Sequence, residues 1–118
     1  MKKSQEFIPQ VKKSEYNISD ERAELMSAYI EFENVKKIYS MGEIKIAALA
    51  GVSFTIDKGE FVVIAGASGA GKSTILNILG GMDTCSEGNI YVDGTRISDF
   101  NAKELTAYRR YEIGFVFQ

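Results

Sequence analysis

Residues 66–74 read Gly-Ala-Ser-Gly-Ala-Gly-Lys-Ser-Thr. Gly66, Gly71, Lys72 and Ser73 fill the pattern G-x-x-x-x-G-K-S/T, the spacing of a phosphate-binding loop. The chemistry this suits is the holding of a polyanion rich in acceptor oxygens. Small residues let the main chain come close, so that backbone N–H groups point at those oxygens. Gly66, Gly69 and Gly71 leave out side chains where the chain must wrap the anion. A helix opening near Gly71 adds its positive dipole end. On this reading Lys72 reaches the β- and γ-phosphates of a nucleoside triphosphate and the Ser73 hydroxyl ligates magnesium. Thr74, one residue on, lies near the α-phosphate.

Such a loop works only between a strand and a helix. Residues 61–65, Phe-Val-Val-Ile-Ala, are apolar throughout and predict a strand buried on both faces of a parallel sheet. A helical pattern over 73–79 follows the loop, directs Ile75, Leu76, Ile78 and Leu79 toward the core, and stops at Gly80-Gly81. Upstream, Ile30 and Phe32 alternate with Glu31 and Glu33, which predicts a half-buried strand over 29–35. Further strands are expected over 44–49 and 52–56, separated by Ala50-Gly51, with a turn at Asp57-Lys58-Gly59-Glu60. Downstream, 89–92 reads as a strand. Asp93 there has two readings: the acid ending a magnesium-binding strand, or half of an Asp-Gly hairpin turn, which the dipeptide favours. Asn101 followed by Glu104 predicts a capping box and a helix to about Tyr111. Gly114 then introduces a short apolar strand at Phe115-Val116-Phe117.

The 118 residues suit one domain, near the common size of ~100–150. With 45% hydrophobic and 25% charged residues the composition is that of an ordinary soluble globular chain. No apolar run approaches the ~20 residues of a membrane span, and no apolar segment near Met1 suggests a signal peptide. Cys85 is alone, which excludes an internal disulfide and suits a reducing compartment, with a small side chain in a turn as its role. A net charge of −2 makes no electrostatic case for nucleic acid or anionic membrane. With no histidine in the chain, histidine catalysis and histidine metal sites are closed to it. Residues 1–28 hold no glycine, carry the paired lysines Lys2-Lys3 and Lys12-Lys13, and have few apolar residues. They predict a disordered or weakly helical tail, with Ser19 able to cap a short helix. Met26 is a plausible alternative start.

Over residues 30–118 the chain resembles the N-terminal half of an ATP-binding cassette (ABC) ATPase domain. Four features carry the resemblance beyond the loop. Tyr39 stands where the family puts an aromatic that stacks on adenine, and Asp57-Lys58-Gly59-Glu60 resembles the turn before the loop strand. Leu79-Gly80-Gly81-Met82-Asp83, followed by Ser86-Glu87-Gly88-Asn89-Ile90-Tyr91-Val92-Asp93-Gly94, resembles the run after the loop helix. Ile113-Gly114-Phe115-Val116-Phe117-Gln118 ends on the glutamine that gives the Q-loop its name. Arg109-Arg110 and the hairpin with Met41-Gly42-Glu43 are similar to the branch serving lipoprotein-release and macrolide-type exporters. Ala67 and Ala70 depart from the Pro and Ser common in the family; both remain small.

The resemblance implies an α/β P-loop NTPase fold, a RecA-like core with an antiparallel β portion. It is cut before the helical subdomain and the acid-ending strand, with a tail over 1–28 and the half-domain over 29–118. It implies ATP and Mg2+ as ligands. Tyr39, Gly66, Ser68, Gly69, Ala70, Gly71, Lys72, Ser73 and Thr74 would contact the nucleotide. Lys72 and Gln118 would be catalytic, and Ser73 and Gln118 would lie on the metal. Implied partners are a transmembrane permease and a second ATP-binding subunit, with no nucleic acid, on the inner face of the cell membrane. The family's signature loop, its catalytic acids and its switch histidine have no counterpart in 1–118. ATP binding with hydrolysis largely lost is therefore expected. The strand over 61–65 lacks a parallel neighbour, so the isolated chain is expected to be marginal or aggregated. A non-transport ABC-type ATPase and a non-catalytic nucleotide-binding remnant are the alternatives. A small GTPase fits less well, since no guanine-reading N-K-x-D motif is present.

Overall fold

The structure, a computed structural model, describes residues 10–13, 28–67, 69 and 71–116. In chain order the elements are β1 (Gln10–Lys13), β2 (Ile30–Met41), β3 (Ile44–Ile56), β4 (Val62–Ala65) and α1 (Lys72–Leu79). They are followed by β5 (Glu87–Val92), β6 (Thr95–Arg96), a 3-10 turn at Ile97–Asp99, and α2 (Ala102–Glu112). Four strands form an antiparallel sheet in the order β3-β2-β5-β6, and β1 and β4 form a separate antiparallel pair.

The alternation expected at the start of β2 is present, but it does not persist. Phe32 and Val35 are both buried although three residues apart. A register shift between them, with Asn34 at φ 47°, inserts a bulge that turns Val35 back to the core. The Asn34 N–H donates to the Ser53 hydroxyl at 2.9 Å, which occupies the backbone donor freed by the irregularity. The strand then runs on to Met41 and carries Tyr39. The two strands expected over 44–49 and 52–56 are one strand. Gly51 takes φ 104°, and the register shifts between Val35 and Lys36. A glycine read as a strand break is thus absorbed as a bulge, because its positive φ kinks the ladder without ending it.

Strand β4 also differs from expectation. It pairs antiparallel with β1, from Gln10↔Ala65 to Lys13↔Val62, and is not buried on both faces. Ile64 packs against the core, while Val63 points outward and Phe61, just before the strand, is 70% exposed. Within 1–28, read from the sequence as a disordered or weakly helical tail, Gln10–Lys13 are β-strand. The physical reason is the open edge of β4, whose backbone groups a short segment of any composition can pair. Ser19 lies outside the described residues.

One core joins the sheet to the helices. Phe32, Val35, Leu49, Val52, Ile90 and Val92 of the sheet meet Ile75 and Ile78 of α1, Ile97 and Tyr108. Phe32 stacks on Phe54 with ring centroids 4.4 Å apart. Leu79 is half-buried, but Leu76, expected in the core, is 52% exposed. One residue past Ile75 is a rotation of about 100° on a 3.6-residue helix, which takes Leu76 off the buried face. The helix ends at Gly80 as anticipated.

The Asp93-Gly94 dipeptide is a two-residue hairpin turn, with φ 50° and 77°, joining Val92 to its partner Thr95. The turn reading therefore holds over the metal-acid reading. Asn101 caps α2 with both halves of the box: its side chain accepts from the Glu104 N–H at 2.9 Å, and the Glu104 carboxylate accepts from the Asn101 N–H at 3.1 Å. Residues 113–116 are not the strand expected there. A strand needs a ladder neighbour, and none of the described strands runs beside them. Instead the Phe115 ring lies on Gly80, so close that a Cβ there would overlap its Cζ. Phe117 lies outside the described residues.

Tyr108 fastens α2 to α1 by donating its hydroxyl hydrogen to the Leu79 carbonyl at 2.6 Å. Burial first, and then the charges of Tyr29 and Glu112, push its phenol up to about 12. The folded state thus favours the neutral phenol. Its stabilisation is complete below the ordinary value of 10.0 and is lost as pH rises through about 12. Tyr108→Phe should cost about 1 kcal/mol at neutral pH, the worth of one hydrogen bond. That gap in denaturant midpoint should close as pH approaches 12. A gap that stays constant with pH would remove Tyr108 as its source.

Candidate phosphate-binding site

The loop between β4 and α1 is where the predicted residues meet. Gly69 takes φ 82°, and Gly71 takes φ 90° and ψ 11° as the residue capping α1. A side chain at Gly71 would be strained in this left-handed geometry, and without one the helix opens directly out of the loop. The first bond of the helical ladder runs from the Ile75 N–H to the Gly71 carbonyl at 2.9 Å. The N–H groups of Lys72, Ser73 and Thr74 thus precede the ladder, and no side chain caps this end. Three aligned donors at a positive dipole end form a cradle for an anion.

The Lys72 ammonium folds back over the loop and donates to the Gly66 carbonyl. This sets one positive charge across the mouth of the cradle. Ser73 is exposed and Thr74 half-buried, so the two hydroxyls next to Lys72 sit at different depths. Gly66 is exposed at the exit of β4. The donor set therefore fits a polyphosphate: backbone N–H groups, one ammonium and two hydroxyls, with no carboxylate from 66–74. Ser68, Ala70 and Gln118 lie outside the described residues.

Tyr39 reaches from β2 to Asp83, just past the C-terminal end of α1. Its hydroxyl donates to Asp83 Oδ2 at 2.8 Å. The Asp83 hydrogen bond first, then burial and the Asp83 charge, push the phenol above its ordinary value, while Thr74 pulls the other way. Asp83 feels opposed forces. Burial pushes its carboxyl up, but hydrogen bonds from Lys37, Tyr39 and the Thr84 N–H, with the Lys37 charge, hold it below the usual carboxylate value. The structure places Gly66, Gly69, Gly71, Lys72, Ser73 and Thr74 in one loop and helix start, and sets Tyr39 on Asp83, past the C-terminal end of α1. It adds two neighbours that motif reasoning did not single out, Lys37 and Asp83. Their signals were present: Lys37 is two residues from Tyr39, hence on its face of the strand, and Asp83 closes the run after α1.

Cys85 is half-buried, and burial pushes its thiol up. That suits a packing role, since a reactive cysteine needs a lowered value.

Comparison with known proteins gives the family. A sequence model of the family described as ABC transporter matches residues 49–118. MJ0796 of Methanocaldococcus jannaschii, an uncharacterized ABC transporter ATP-binding protein, is 52% identical over 89 residues, 75% of this chain and 38% of that protein. The macrolide export ATP-binding/permease protein MacB of Bdellovibrio bacteriovorus is 45% identical over 89 residues, 75% of this chain and 14% of that protein. A solved dimeric structure of the MJ0796 cassette, in a post-hydrolysis state with ADP and Pi, matches with a TM-score of 0.68 and 45% identity. That match covers 75% of this chain and 38% of the other. The chain thus spans well under half the length of the relatives it matches. The fold they share with it is part of the α/β ABC ATPase cassette, with its antiparallel sheet. Since the family match takes in the loop, α1, the β5–β6 hairpin and α2, more than half of the sequence, the chain belongs to the ABC transporter family.

Proposed function

We propose that these residues form part of the ATP-binding subunit of an exporter-type ABC transporter and hold MgATP. One observation carries the reading: α1 opens at a left-handed Gly71 with three donors ahead of its ladder, while Lys72 bridges the loop to Gly66. In this reading the backbone of Gly66, Ser68, Gly69, Ala70 and Gly71 encloses the phosphates. Lys72 leaves Gly66 for the β- and γ-phosphates, and Thr74 sits near the α-phosphate. Ser73 would offer its hydroxyl to magnesium, which when bound would supply positive charge to neutralise the phosphates. Tyr39 takes the adenine. Gln118 touches the metal or the attacking water and senses the membrane partner. The domain is assigned to 29–118 and the tail to 1–28.

Among the described residues no helix is long and apolar enough to cross a membrane. The proposed partner is a permease, met at the inner face of the membrane by a pair of ATP-binding subunits, a reading that the family match and the MacB relative support. The MacB relative, named as both ATP-binding and permease protein, supports the exporter branch. The family's water-orienting groups have no counterpart in 1–118, so this polypeptide should bind MgATP without turning it over.

Calorimetric titration of the 118-residue chain, paired with a phosphate-release assay, tests this. Saturable MgATP binding without release is expected. A folded chain that shows no MgATP binding would overturn the proposal. A non-transport ATPase is the second outcome for the complete protein, and purification from its own cells with no permease attached would favour it.

A further inference from the structure

Tyr39 is not a free aromatic at the edge of the loop. The two oxygens of Asp83 divide their work, Oδ2 accepting from the Tyr39 hydroxyl at 2.8 Å and Oδ1 from the Lys37 ammonium at 2.9 Å. Lys37 also donates to the Thr84 carbonyl at 2.6 Å, and the Thr84 N–H donates to Asp83 Oδ1 at 2.8 Å. The Lys37 ammonium stands 5.0 Å from the centroid of the Tyr39 ring, within cation–π range. The lysine side chain is 12% exposed, whereas Tyr39 is 39% exposed. The ring is thus pinned at its hydroxyl and backed by a charge near one face, with much of its surface still open.

We propose that Lys37 and Asp83 are positioning residues for the nucleobase: they fix the plane of Tyr39 before the ligand arrives, so that a purine stacks on a ring already ordered. The inference rests on the MgATP reading above. The lysine and the aspartate bond each other, Tyr39 and the backbone of Thr84, and neither belongs to the phosphate-binding loop. Their contribution is the ordering of one aromatic side chain, and base stacking is worth most on a platform that need not be immobilised at the moment of binding.

The test compares two probes in the complete protein: MgATP, which has a base, and magnesium tripolyphosphate, which has none. Asp83→Ala should weaken MgATP binding by about fivefold, the ordering cost of one side chain, and leave tripolyphosphate binding unchanged. Tyr39→Phe keeps the ring and removes only its anchor, so it should reproduce that loss. The double variant should lose no more than either single one, because both break the same contact. Equal weakening of both probes would mean that Asp83 merely supports the fold, and no weakening of either would mean that the ring needs no clamp; each overturns the inference. Lys72→Ala separates the two levels. If it strongly weakens binding of both probes while Asp83→Ala changes neither, only the positioning role falls. If Lys72→Ala leaves MgATP binding intact, the phosphate-loop reading falls and takes this inference with it.

Discussion

Replacing Lys72 with alanine should weaken MgATP binding by about a hundredfold, the worth of charge-assisted hydrogen bonds of about 3 kcal/mol. Lys72 is the cation that the loop sequence places at the helix start, and its ammonium already lies across the loop on the Gly66 carbonyl. Moving from that carbonyl to a phosphate exchanges a neutral acceptor for a charged one, which is why the gain is large. The backbone donors of 72–74 remain in the variant, so residual weak binding is expected. Arginine should not restore affinity, since its planar fork cannot take the compact place of an ammonium between phosphates. Lys103→Ala, on the exposed side of α2, controls for the loss of one positive charge. Titration calorimetry on variants with unchanged circular dichroism reads the effect. An affinity within twofold of the parent would remove Lys72 from the site.

Gly88→Ala should destabilise the fold by about 4 kcal/mol, strain and overpacking each contributing in the range of ~1–3 kcal/mol. Gly88 sits on β5 at φ 101°, a conformation that side chains rarely adopt. A Cβ there would meet the Asn34 carbonyl oxygen at 2.6 Å, the Glu33 carbonyl oxygen at 2.7 Å and the Val35 Cα at 2.7 Å. All three atoms are backbone, and they belong to the bulge of β2. No side chain can rotate aside, so β5 would have to lift off β2 at the point where Phe32 and Val35 enter the core. Against a typical total stability of ~5–15 kcal/mol, that loss is a large fraction. Gly114→Ala meets no atom within 4 Å and should cost almost nothing. Denaturant midpoints for the two variants check the contrast. A Gly88→Ala midpoint equal to that of Gly114→Ala would show that the β2 bulge yields freely.

The features legible in the chain were those set by neighbours within a turn of one another. The phosphate-binding loop, the opening of α1, the Asn101–Glu104 box and the Asp93-Gly94 hairpin each depend on four to nine consecutive residues, and local backbone sterics and hydrogen bonding decide them. What misled was any element whose fate depends on a distant partner. Gly51 looks like a strand break in isolation, yet it is a bulge because β2 supplies a continuous ladder beside it. The apolar run before the loop looks buried on two faces, yet its described neighbour is the polar strand Gln10–Lys13. Leu76 and Phe115-Val116 went astray for the same reason, since hydrophobicity alone does not say which surface will be covered.

The site divides along the same line. Which atoms can hold a phosphate is written in nine consecutive residues, because the cradle is built from their own backbone. How the aromatic platform is held is not, because Lys37 and Tyr39 reach Asp83 across 46 and 44 positions of chain. No local rule pairs residues so far apart. Only the antiparallel ladder of β2 with β5, and the core that seats α1 against it, bring the end of the loop helix under the far end of β2, and with it the carboxylate to the lysine and the tyrosine.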